Sequence, residues 1–271
     1  METTRILADH SYRELLNLLD WFYHHGPIPT IIGGWAVFFY NSYLGSVDID
    51  LVGPSMGGLF DNTIESFERN QGYEAVTTDP LGLQTSFRKP VVEKNNLIGH
   101  VQIDACTYEL DTGGFHENPA KKLPYSLCAD PQLRTHLKFD ERKEAYVPRK
   151  PLLLLYKLKA LRDRQYELKT KGPILSPRTR NWLQSKWIKD GADLMALMDP
   201  QPRSYTINEE LNTDLLLRIV ESQSLQFALE SLANLPDITQ SLTLYQNAKR
   251  EEVIEWVEKI LKKPLKSDSN K

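Results

Sequence analysis

The chain has 271 residues, 41% of them hydrophobic and 25% charged, with a formal net charge of −3. That balance is ordinary for a soluble globular protein and suits one large domain or two modest ones. No apolar run approaches the ~20 residues a bilayer span needs, and the opening METTRILADHSYRELL has no secretory apolar core. Cys106 and Cys128, the only cysteines, lack C-x-x-C spacing. The expectation is therefore a cytoplasmic protein with reduced thiols.

In chain order, Ser11 and Glu14 form a capping-box pattern ahead of Leu15, Leu16, Leu18 and Leu19, which predicts a helix over 11–24. Thr30 to Gly33 reads as a short buried strand, Gly34 to Tyr43 as a helix, and Val47 to Val52 as a strand. Residues 58–71 suit an amphipathic helix stopped by Gly72. Strands are expected at Tyr73–Thr77, Leu83–Lys89 and Leu97–Cys106. Beyond Pro148 the pattern turns helical. KPLLLLYKLKALRDR opens with Pro151 near its first turn, and TRNWLQSKWIKDGADLMALM follows. Thr206 and Glu209 make a second capping box before LNTDLLLRIV, and Leu225–Leu235 and Lys249–Leu261 complete the helices. The tail LKSDSNK is expected to fray. The expected fold class is α+β: a mixed sheet with flanking helices over 1–146, then an all-helical domain over 147–271.

The run IIGGWAVFFYNSYLGSVDID, from Ile31 to Asp50, carries the chemistry. On a strand Asp48 and Asp50 project to one side, roughly 6.5–7 Å apart. Two carboxylates so close favour a cation between them, and a hard divalent ion such as Mg²⁺ (or Mn²⁺) leaves positions for phosphate oxygens. Gly33 and Gly34 supply a side-chain-free turn with N–H groups for an anion. Asp104, in VQIDACTY, completes a trio of metal ligands if its strand lies beside Val47–Val52. The plain alternative for each acid is a satisfied or solvent-facing strand residue. His24 and His25, at the end of the first helix, lack zinc spacing with any cysteine, although His100 shares a strand face with Asp104. Neither a P-loop nor a G-x-S-x-G elbow occurs, which argues against a Walker NTPase or a serine hydrolase.

GGWAV, then SVDIDL, then VQID resembles the nucleotidyltransferase superfamily, with its polymerase-beta-like palm. The second half is similar to the AbiEii and MenT toxin group within it, on Lys157-Leu158-Lys159-Ala160-Leu161 and Lys189-Asp190-Gly191-Ala192-Asp193-Leu194. The resemblance covers roughly residues 28–198. It implies that Gly33 and Gly34 bind triphosphate, that Asp48, Asp50 and Asp104 bind metal, that Lys157 meets phosphate and that Asp190 faces a sugar or acceptor hydroxyl. Arg164, two turns from Lys157, extends a cationic stripe. The competing readings are a snorkelling Lys157 and an ion pair of Asp190 with Lys186 or Lys189. Many relatives carry a basic residue and a hydroxyl ahead of the first aspartate; here Leu44 and Ser46 hold those places, so only the Ser46 hydroxyl remains for a nucleotide contact.

From Arg142 to Lys189 fourteen Lys/Arg face three acids, a local excess of eleven in a chain that is acidic overall. Such asymmetry points to a polyanionic partner or to a solvated helix face. The expected activity is transfer of a nucleoside monophosphate from an NTP to an acceptor hydroxyl, RNA such as a tRNA 3′ end lying along 142–189. A toxin of this kind would have a cognate antitoxin. The alternatives are an NTP-binding module without turnover, and transfer to a small molecule or a protein.

Overall fold

A computed structural model describes residues 2–78, 84–110 and 114–262. The chain divides into two compact units, Met1–Thr112 with Pro124–Arg149, and Gly113–Leu123 with Lys150–Lys271. The first unit runs α1 (Glu2–His25), β1 (Thr30–Ile32), α2 (Gly33–Tyr40), β2 (Asp48–Gly53), α3 (Leu59–Gln71), β3 (Glu74–Thr78), β4 (Gln84–Glu93), β5 (Asn96–Thr107), β6 (Arg134–Lys138) and β7 (Glu144–Pro148). Its seven strands form one mixed sheet in the order β3-β4-β5-β2-β1-β7-β6. β2 runs parallel to β5 and β1 to β7, and the other pairs are antiparallel.

Alternation gives the sheet two different faces. Ile49, Leu51, Val101, Ile103 and Phe87 are buried on one, where α1 and α3 pack with Leu15, Leu18, Leu19, Phe22, Phe60, Ile64 and Phe67. Lys89, in register with Val101, reaches Glu14 of α1 at 3.0 Å on that side. Gly53 gives Phe60 its room, because an added Cβ would meet that ring at 2.3 Å. The helix α2, GGWAVFFY, is buried on nearly every side, and Trp35 donates from Nε1 to Ser11 Oγ at 3.0 Å. The other face carries Asp48, Asp50 and Asp104.

The second unit comprises α4 (Lys150–Lys171), α5 (Pro177–Met198), α6 (Thr213–Ser222), α7 (Gln226–Leu229), α8 (Thr239–Leu244) and α9 (Arg250–Leu261). Leucines 152–155, 158 and 161 are buried around α4, which pairs along its length with α5. The segment Gly113–Leu123 is bound into this unit. The Phe115 ring packs at 5.1 Å from Phe227, the His116 N–H donates to Asp163 at 2.9 Å, and Glu117 pairs with Arg162.

Several expected elements differ. The first helix starts at Glu2, so Ser11 is no cap but a fully buried mid-helix residue. Asn212 caps α6, accepting from the Leu215 N–H at 2.9 Å, and Thr206 and Glu209 lie in an irregular stretch before it. The helix expected over Leu225–Leu235 is one α turn followed by a 3-10 segment, Glu230–Asp237, which contains Pro236. β6, β7 and α8 were not expected. Leu83, the expected start of β4, and the tail LKSDSNK lie outside the described residues. Among the described residues no helix is long and apolar enough to cross a membrane.

Candidate functional site

The register of β2 and β5 sets Asp50 beside Asp104 and Asp48 beside Gln102. β4 adds Ser86 opposite Asp104, and β1 adds Ile32 opposite Asp50. Neighbours in register share a face, so Asp48, Asp50, Asp104, Gln102 and Ser86 stand together on the side away from α1 and α3. His100 lies further along the same face of β5. The three acids are part-exposed, and Ser46, in the turn before β2, is buried.

Gly33 opens α2 with φ +68°, a left-handed conformation that disfavours side chains. A Cβ there would stand 1.9 Å from Asp50 Oδ2. Asp50 is thus seated against the N-terminus of α2, where no side chain caps the helix and a negative charge is favoured. Gly34 is buried one residue further into the helix.

Asp104 has protein partners. Gln102 Nε2 donates to both of its oxygens at 3.0 Å, and Ser86 Oγ donates to Oδ1. Those bonds take three of about four acceptor sites of the carboxylate. Among the described residues no group of three or more His, Cys, Asp or Glu is gathered closely enough to hold a metal ion. The donor chemistry still fits a hard divalent ion. Asp50 and Asp104 present carboxylates on adjacent strands, Asp104 keeps a lone pair, and Gln102 and Ser86 would orient it from behind.

Tyr125 and Cys106 lie within the field of Asp50, Asp104 and Cys128. Burial raises the Tyr125 phenol, and the field of Cys106, Asp50, Cys128 and Asp104 adds to the shift, so its hydroxyl stays neutral. Burial also raises the Cys106 thiol, with Cys128, Asp50 and Asp104 pushing the same way; both cysteines are free and buried. A protonated thiol of this kind is inert.

In the second unit Lys157 Nζ lies 2.7 Å from Asp193 Oδ2 and 3.5 Å from Asp190 Oδ1. Arg164 pairs with Asp190, and Lys189 with Asp193 at 3.0 Å. Lys157, Asp190 and Asp193 are 8%, 4% and 0% exposed, which makes this a buried network rather than a surface stripe. Lys157 and Arg164 do share a helix face, since both reach Asp190. Asp190 thus pairs with Lys157 and Arg164, and Lys189 with Asp193. Burial lowers the Lys189 ammonium, and Asp193 opposes that shift.

The residues that sequence reasoning passed over are Asp193, Gln102, Ser86 and Tyr125. Asp193 was visible in the three-residue spacing from Asp190, which puts both on one helix face. Gln102 and Ser86 become meaningful only once strand neighbours are known. At least eight of the fourteen Lys/Arg in 142–189 form ion pairs, with Asp20, Glu117, Asp140, Asp190 and Asp193 among their partners outside the segment. Compared with known proteins, the chain matches no protein-family model and no curated sequence, so the functional reading rests on these residues and their geometry.

Proposed function

We propose that the chain is a metal-dependent nucleotidyltransferase built on a palm-like sheet, which moves a nucleoside monophosphate from an NTP to an acceptor hydroxyl. The observation that carries this reading is the seating of Asp50, in register with Asp104, against the side-chain-free start of α2. A phosphate oxygen binds well at such a helix start, and two hard carboxylates lie next to it. A divalent ion, when bound by Asp50 and Asp104 with Asp48 on the same face, would supply Lewis acidity and offset charge on the departing phosphates.

In the reaction the acceptor oxygen forms a bond to the α-phosphorus. The bond from that phosphorus to the oxygen bridging towards the β-phosphate breaks, and its electron pair leaves with pyrophosphate. The hydroxyl proton passes to a carboxylate of the acid row. Gln102 and Ser86 hold Asp104 in orientation. RNA, including a tRNA 3′ end, is the acceptor proposed, carried by those cations of 142–189, at most six, that lie outside the ion pairs above. A toxin role would require an antitoxin partner.

Asp48→Asn and Asp50→Asn should each lower label transfer from α-labelled NTPs to total RNA, in Mg²⁺ or Mn²⁺, by at least about a hundredfold while leaving the melting temperature near wild type. Undiminished labelling by either variant refutes the mechanism. The hydrogen bonds that occupy Asp104 favour one second reading, a module that binds NTP without turnover. Retention of NTP with no labelled product in any acceptor mixture would establish it.

A further inference from the structure

The acid-bearing face of the sheet also carries a concavity. Along β2 from Asp50 the chain passes Val52 to Pro54, roughly 13 Å away at strand rise. On β5 it passes Cys106 to Tyr108. At that end an open cavity of about 610 Å³ lies wholly within the first unit, a size that suits a small organic ligand. Pro27, Ile28 and Pro54 give it apolar walls, with Ala129 and Ser126 from the 3-10 segment Tyr125–Ala129. Cys128 of that segment is fully buried.

Arg134 and Tyr146 form the polar end. The guanidinium carbon stands 3.8 Å from the centre of the Tyr146 ring, which is stacking distance, and Nη1 donates to the Tyr108 hydroxyl at 3.4 Å. Tyr108 is in turn fixed by Thr30 Oγ1 at 2.5 Å. Among the described residues no carboxylate pairs with Arg134. A planar cation held by stacking and one long bond to a neutral phenol keeps most of its five donors for something else. Glu109 also lines the cavity, but it is held by the Ser55 N–H at 3.2 Å and the Ser55 hydroxyl at 3.1 Å and forms no ion pair with Arg134. That carboxylate limits the charge the cavity accepts: Arg134 and Glu109 already sum to zero, so a monoanion on Arg134 adds one uncompensated charge, whereas a di- or triphosphate adds several and meets repulsion.

We infer that this cavity is a binding site, separate from the acid row, for a small monocarboxylate with a flat apolar body, its carboxylate on Arg134 and its body between Tyr146, Tyr108 and the proline walls. The inference goes beyond the transferase reading and does not depend on it. A guanidinium–carboxylate fork is the strongest polar contact available there.

The test uses the full chain and calorimetric titration with benzoate, benzyl alcohol and phenyl phosphate. Benzoate should saturate the wild type, bind more tightly than the neutral alcohol or the phosphate dianion, and weaken about ten- to a hundredfold in Arg134→Met. Ala129→Phe, which adds a ring at the wall of the cavity, should abolish binding, and Asp50→Asn should leave it unchanged. The site is overturned by any of three results: no saturation by benzoate up to about 10 mM, equal binding of benzoate and benzyl alcohol, or equal benzoate affinity in folded Arg134→Met. Tighter binding of phenyl phosphate would overturn the carboxylate assignment.

Discussion

Gly33 holds φ +68° with the Asp50 carboxylate lying where a side chain would begin, so alanine there meets a disfavoured backbone and a displaced acid together. The backbone alone should cost about 1–2 kcal/mol in urea unfolding. Transfer activity should fall more than stability does, because Asp50 has to move. An alanine variant with wild-type unfolding and wild-type labelling would show that the contact between Gly33 and Asp50 carries no function. The pairing of this glycine with this acid was partly legible: the Gly-Gly turn and the D-x-D alternation can be read from spacing alone. The hydrogen bonds on Asp104 were not legible, because Ser86 reaches it across a ladder whose register no local pattern encodes.

Elements show where local signals compete. Ser11 and Glu14 satisfy the spacing of a capping box, yet nine more helical residues precede Ser11, and its hydroxyl serves Trp35 instead. In the same way Thr206 and Glu209 imitate a cap that Asn212 supplies. Asn212→Ala should cost about 1 kcal/mol in chemical denaturation, and Thr206→Ala less than about 0.5 kcal/mol. The reverse order would move the start of α6. The strand expected to end at Lys89 continues through Pro90 to Glu93. The paired residues of β3 reach only as far as Arg88, so the missing N–H of Pro90 falls beyond that ladder. β6 and β7 escaped notice because charged residues dilute their alternation; only Leu137, Ala145, Val147 and Pro148 are buried along them.

At the scale of the whole molecule, the excess of eleven positive charges in 142–189 is not an open cationic surface. With at least eight of its fourteen cations in ion pairs, at most six remain for phosphates. If single-stranded RNA binds there, a plot of log affinity against log salt should have a slope no steeper than about −4. A slope near about −8 would mean that RNA displaces the protein's own carboxylates from their partners. The change to helix after Pro148 was readable from hydrophobic period, whereas the membership of Gly113–Leu123 in the helical unit was not. The neutralisation of the basic segment was not, because the acids that accomplish it lie as far away in the chain as Asp20 and Glu117.

The segment Gly113–Leu123 makes the helical unit discontinuous in sequence. No single cut in the gene yields that unit whole: a fragment starting at Lys150 leaves Phe115 behind, so the flank of Phe227 opens to water and Arg162 loses its carboxylate partner. A graft of these helices onto another protein therefore has to carry an eleven-residue piece from upstream.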